Sequence, residues 1–128
     1  MNPLLGIFLA GGLGSVLRFQ CGKFITDQLN SPHWGTLSVN IIGCFLIGVL
    51  FQYFQNKSPD QETLKLALMT GFLGGFTTFS AFSLETFRFF QDGRFIQGLS
   101  YVGMSLIFCL AGTGLGVSLA RLLFPSPL

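Results

Sequence analysis

Charge is what this sequence lacks most. Only 9% of its 128 residues are Asp, Glu, Lys or Arg, against about 25% in an ordinary soluble domain. A chain this short has much surface per unit volume. Seven basic and five acidic residues cannot cover that surface with polar groups. A soluble enzyme, a nucleic-acid module and a disordered tail are therefore excluded. The net charge is +2 and the basic residues are scattered, so no nucleic-acid stripe exists. Cysteine is also scarce and poorly placed for structural chemistry. Cys21, Cys44 and Cys109 are odd in number, lie in apolar stretches and form no Cys-x-x-Cys pair. A disulfide framework or a zinc site does not fit that pattern. No basic segment followed by a small-residue cleavage motif opens the chain, so the N-terminus is read as part of the mature protein.

Apolar residues are what the chain has in excess. Half of its residues are hydrophobic, with 16 Phe and 17 Gly, and the mean hydropathy is +0.64. Lipid must be the solvent over most of the surface. A helix needs about 20 apolar residues to cross a bilayer, and four runs qualify, over residues 4–26, 34–54, 63–90 and 95–124. The sequence predicts an all-α membrane protein, one four-helix domain using residues 1–128. Sustained period-2 alternation, the mark of barrel strands, is missing. Short polar connections make neighbouring helices antiparallel. Lys57, Lys65 and Arg121 then lie on one side, and Arg18, Lys23, Arg88 and Arg94 on the other. Three against four gives almost no orientation bias. That count leaves open a fixed orientation set by subtler features or dual topology, with the same chain inserted both ways up.

Small residues recur every four positions: Gly6, Ala10 and Gly14, then Gly71 and Gly75, then Gly112 and Gly116. Such stripes let helix backbones approach closely in lipid. The run Gly11–Gly14 lacks the third glycine and the preceding strand of a dinucleotide loop, so helix packing is the better reading.

Polar groups inside the spans are costly in hydrocarbon, and each needs a partner or a pathway. Asn40 lies about 9 Å inside the second span. It either glues helices together or meets an ion. Tyr101, Ser105, Cys109 and Thr113 are four apart and share one face of the fourth span, predicting a polar track over about 18 Å. The third span holds Gly74-Gly75 followed by Thr77-Thr78 near its middle, a poor helix core. A break there is expected, because irregular backbone at membrane depth is tolerated where it is buried or binds an ion. Phe79 and Phe82 follow on one helical face, interleaved with Ser80 and Ser83. Arg18 and Glu85 lie toward one end of their spans, as an ion pair or an aqueous mouth.

The run Gly71-Phe72-Leu73-Gly74-Gly75-Phe76-Thr77-Thr78-Phe79-Ser80-Ala81-Phe82-Ser83-Leu84-Glu85 closely resembles the signature of the Fluc fluoride channels, small four-helix membrane proteins of microbes. Trp34 to Asn40 followed by Gly43 resembles their second-helix motif, and Gly14 to Arg18 the basic end of their first helix. The resemblance covers essentially the whole chain. It implies an antiparallel homodimer with two fluoride pores in the plasma (inner) membrane. It implies that Asn40 lines the pore with Ser80 and that Phe79 and Phe82 form an aromatic box. Tyr101, Ser105 and Thr113 match the polar track, and Arg18 and Glu85 the vestibule. Gly74 and Thr77 match positions whose backbone carbonyls hold a structural sodium ion at the dimer centre. Cys109 departs from the pattern, where Ser is expected, and a thiol is the weaker donor.

The expected function is passive export of cytoplasmic fluoride, protecting against its toxicity. Two rivals are weighed against it. A small dimeric proton-coupled multidrug exporter would need a carboxylate in a membrane-embedded drug site, yet the one acid within the spans as bounded above is Glu85, near an end. A non-transporting scaffold subunit would show no flux at all.

Overall fold

The computed structural model describes residues 2–55 and 57–125, and among them it is all helix, with no strand. Four stretches are long and apolar enough to cross a membrane: Pro3–Leu29, Pro32–Phe54, Pro59–Gln91 and Phe95–Leu123.

Local signals explain the first two. Helix α1 (Pro3–Leu29) starts where the Asn2 side chain accepts the Leu4 N–H at 2.9 Å. Proline suits the next position, where its missing N–H costs nothing. The helix ends at Asn30, whose φ of 53° is a left-handed conformation that asparagine tolerates. Pro32 then opens α2 (Pro32–Phe54), which packs back against α1. The loop beyond α2 includes Asn56, which lies outside the described residues.

The third span is the irregular one. A 3₁₀ turn (Pro59–Gln61) and α3 (Glu62–Lys65) lead into a π-helical stretch, Leu66–Leu73. Helix α4 (Gly74–Phe76) follows, then α5 (Phe79–Gln91). Between α4 and α5 the backbone is extended, with ψ of 157° at Thr77 and φ of −150° at Thr78, and the span bends there. Within the run Gly74–Thr78, where a break is expected, the threonines leave the helix and the glycines do not; Gly74 has φ −62° and ψ −35°. Their role is close approach. A Cβ on Gly75 would collide with the Gly11 carbonyl oxygen, and one on Gly14 with that of Phe72. The small-residue stripes thus form a seam between α1 and the third span, where atoms other than hydrogen would hold the backbones apart.

Helix α6 (Phe95–Leu123) packs most extensively on α2. Glycine again sets the spacing, because a Cβ on Gly48 would strike the Thr113 carbonyl oxygen and one on Gly116 that of Phe45. Leu37, Phe82, Phe89 and Tyr101 form a buried cluster where α2, α5 and α6 meet, with Trp34 and Ile41 against it. Leu4, Phe8, Ile107, Leu115 and Leu122 point outward and are largely exposed, as lipid-facing side chains should be.

Candidate functional site

The bend in the third span is held by one side chain. Asn40, on α2, accepts the Thr78 N–H through Oδ1 at 2.8 Å and donates from Nδ2 to the Thr78 carbonyl at 2.9 Å. This pair satisfies both backbone groups of an extended residue at membrane depth, which lipid cannot do. The Thr78 hydroxyl in turn accepts the Ala81 N–H at 3.2 Å and caps α5. These bonds divert donors from the helical pattern. In an unbroken helix the Thr78 N–H would reach the Gly74 carbonyl, and the Ala81 N–H the Thr77 carbonyl. Gly74 and Thr77 are thereby left without those helical donors. The Thr77 hydroxyl donates to the Leu73 carbonyl at 2.8 Å.

Around the bend lies a cavity of about 350 Å³. Gly74, Thr77, Thr78, Phe79 and Phe82 line it from the third span, Asn40, Gly43 and Cys44 from α2, and Ser105 and Cys109 from α6, with the aliphatic side chains of Ile47, Met69, Leu73, Leu106 and Leu110 completing the wall. Phe79 is 77% exposed, while Phe82 is buried. Their ring centroids are 5.2 Å apart at 56°. Such tilted rings present electropositive edges rather than one flat negative face. Asn40 spends one of its two amide hydrogens on Thr78, leaving the second for a ligand.

Beyond Thr78 a second cavity, of about 270 Å³, is lined by Arg18, Lys23, Thr36, Thr78 and Glu85. Thr78 borders both, so the Asn40–Thr78 pair stands between them. Glu85 does not pair with Arg18 among the described residues. Its carboxylate accepts the Thr36 hydroxyl at 2.7 Å and the Tyr101 hydroxyl at 2.6 Å. Tyr101 is 1% exposed, and its ring packs against Phe82 at 5.3 Å.

The expected residues therefore fall into groups. Asn40, Phe79, Phe82, Ser105, Gly74 and Thr77 share the first cavity. Arg18 and Glu85 share the second. Ser80 lies outside both and is exposed, its hydroxyl 3.2 Å from that of Thr78. Thr113 also lies outside, donating to the Cys44 carbonyl at 3.0 Å. The stripe on α6 is thus split between cavity-lining and helix-tying roles. Its counterpart on α2, Thr36, Asn40, Cys44 and Gly48, is absent from the sequence reading above. The same four-residue spacing was its available signal.

A bundle of four apolar spans, with an amide, hydroxyls and aromatic rings placed in cavities between them, defines a multi-pass membrane protein. Comparison with known sequences makes that more specific. Residues 5–117 match the family described as CrcB-like protein, camphor resistance (CrcB). The chain belongs to this family. It is similar to proteins named fluoride-specific ion channel FluC. The one from Hahella chejuensis is 40% identical over 121 residues, covering 94% of this chain and 95% of that one. The one from Geobacter sulfurreducens is 42% identical over 123 residues, covering 94% and 98%. The one from Citrifermentans bemidjiense is 40% identical over 124 residues, covering 96% and 100%.

Proposed function

We propose that this protein is a passive, fluoride-selective channel that lets fluoride leave the cell. The observation that carries the reading is the first cavity: Asn40, Ser105, Phe79 and Phe82 converge on it, and no side chain lining it carries a fixed charge. Fluoride holds its water tightly, so a conducting site must substitute for that water. Amide and hydroxyl donors do so, and aromatic edges add a favourable field. A lysine or arginine at this depth would hold the anion too strongly, whereas conduction needs weak, multiple sites. HF enters cells as a neutral acid and ionises in the less acidic cytoplasm. A passive pore then lets the inside-negative potential drive the anion out.

The proton-coupled exporter fares worse on the same geometry. Glu85 is tied to Thr36 and Tyr101 near one end of the bundle, away from the larger cavity. The discriminating experiment is fluoride efflux from liposomes holding purified protein, with potassium and valinomycin setting the potential and equal pH on both sides. Efflux should proceed at full rate. Dependence on an imposed proton gradient would reverse the choice.

The working unit in this reading is an antiparallel homodimer. Phe79 stands 77% exposed on the single chain, and Gly74 faces open space; a second copy would cover both. The carbonyls of Gly74 and Thr77, freed of their helical donors, are hard oxygen ligands. Two copies would supply four, and they would hold a sodium ion between them and balance the carbonyl dipoles. The bend in the third span is then the break that a cation needs, with fluoride passing beside Phe79 and Phe82 instead.

An antiparallel dimer requires both orientations in one membrane, as the balanced basic residues allow. Ser58 is exposed in the loop after α2. Ser58→Cys, on a background lacking Cys21, Cys44 and Cys109, should react with impermeant thiol reagents from both faces of the membrane. Reaction from one face alone would rule out dual topology.

A further inference from the structure

The cavity contains a feature that neither anion passage nor the cation reading uses. Cys44 on α2 and Cys109 on α6 both line it, and the Cys44 side chain packs against α6 within one turn of Cys109, its Cβ 3.8 Å from where a Cβ on Gly112 would lie. Both are free and half-buried. They belong to facing helices joined at Cys44, whose carbonyl accepts the Thr113 hydroxyl at 3.0 Å one turn beyond Cys109.

We propose that Cys44 and Cys109 form a two-thiolate site for a soft, linearly coordinating divalent cation of the mercury(II) type, and that occupancy closes the conduction route. Soft metals select thiolates. Metal–thiolate bonds are about 2.3 Å for zinc, so an ion bridging two sulfurs keeps them within about 5 Å. Two thiols that line one cavity from packed helices, with Cys44 seated against α6 beside Gly112, meet that requirement by side-chain rotation. Binding replaces two S–H bonds by two metal–sulfur bonds and releases two protons; no electron is transferred. Charge favours the divalent ion. Two thiolates cancel its charge and leave a neutral complex, where a net charge at this depth would be costly. The bridged ion would stand in the same cavity as Asn40, Phe79, Phe82 and Ser105, across the path an anion must take.

The test uses full-length protein with Cys21→Ser, since Cys21 is not among the residues lining that cavity. Mercuric chloride added to detergent-solubilised protein should remove both titratable thiols at one metal per chain and produce the ultraviolet band of mercury–thiolate charge transfer. Two metals per chain, or none, would overturn the site. In liposomes, micromolar mercuric chloride should reduce fluoride efflux at least tenfold, with recovery on adding a dithiol. Cys44→Ser and Cys109→Ser, each scored against its own uninhibited flux, should need at least tenfold more metal; Cys44→Ala and Cys109→Ala serve if a serine variant does not fold. Unchanged sensitivity in the single variants would overturn the shared site. The efflux arm rests on the fluoride-channel reading, whereas the thiol titration does not. A protein that binds one metal per chain but passes no fluoride would therefore keep the site and overturn its role in conduction.

Discussion

Replacing Phe79 or Phe82 by isoleucine should cut fluoride flux by about two- to twelvefold in each case, while leaving the fold and any dimer intact. Isoleucine keeps the apolar bulk and removes the electropositive ring edge. An aromatic edge is worth about 0.5–1.5 kcal/mol in a favourable contact, and about 1.4 kcal/mol is a factor of ten in rate. The two positions differ in what else they hold. Phe82 is buried, packs against Tyr101 and belongs to the core cluster, so Phe82→Ile should also lower thermal stability. Phe79 is largely exposed on the single chain and should lose flux with little loss of stability. Flux from liposomes, read beside thermal unfolding in detergent, separates the two effects. Normal conduction by both single variants would reduce the aromatic pair to packing.

Asn40→Leu should be the most damaging single change. The side chain satisfies both the N–H and the carbonyl of Thr78, and leucine can satisfy neither. An unsatisfied buried group costs about 1–3 kcal/mol, so the bend loses about 2–6 kcal/mol of support. The backbone can recover some of this by returning the Thr78 N–H to the Gly74 carbonyl, which would straighten the span. Either outcome removes the surviving amide donor from the cavity. Fluoride flux should fall below detection, with a marked loss of thermal stability. Asn40→Asp sharpens the reading: a carboxylate still accepts the Thr78 N–H but donates nothing and brings negative charge into the cavity. It should fold better than the leucine variant and conduct no better. Near-normal flux in Asn40→Asp would show that the amide only ties the helices together.

The four spans were legible because lipid imposes a coarse demand: long apolar runs separated by short polar ones. The same demand hides the detail. Nothing in Leu66–Leu73 distinguishes a π-helical stretch from an α-helix, since every residue suits lipid. The run Gly74–Thr78 marks the place of the irregularity but not which residues carry it: Gly75 is needed against Gly11, and the departure from helix falls on Thr77 and Thr78, where Asn40 supplies the substitute bonds. Asn40 was visible as a costly polar group; its partner, 38 residues away in sequence, was not. The polar stripe on α6 was legible from spacing alone. Its division was not, because Thr113 turns to the α2 backbone and Tyr101 to Glu85 only once those helices are in place. Glu85 illustrates the limit of counting charges. Its position beside Arg18 fits an ion pair or an aqueous mouth equally; two neutral hydroxyls take both carboxylate oxygens, and among the described residues the two share the second cavity without pairing.

A cavity with amide and hydroxyl donors, ring edges and no fixed charge should select the small, strongly hydrated anion. The most direct measurement is a paired efflux experiment, with fluoride and chloride loaded together into liposomes holding the purified protein and followed by ion-selective electrodes after the potential is released. Fluoride should leave far faster than chloride, with chloride close to the rate from protein-free vesicles. Comparable rates for the two ions would contradict the account.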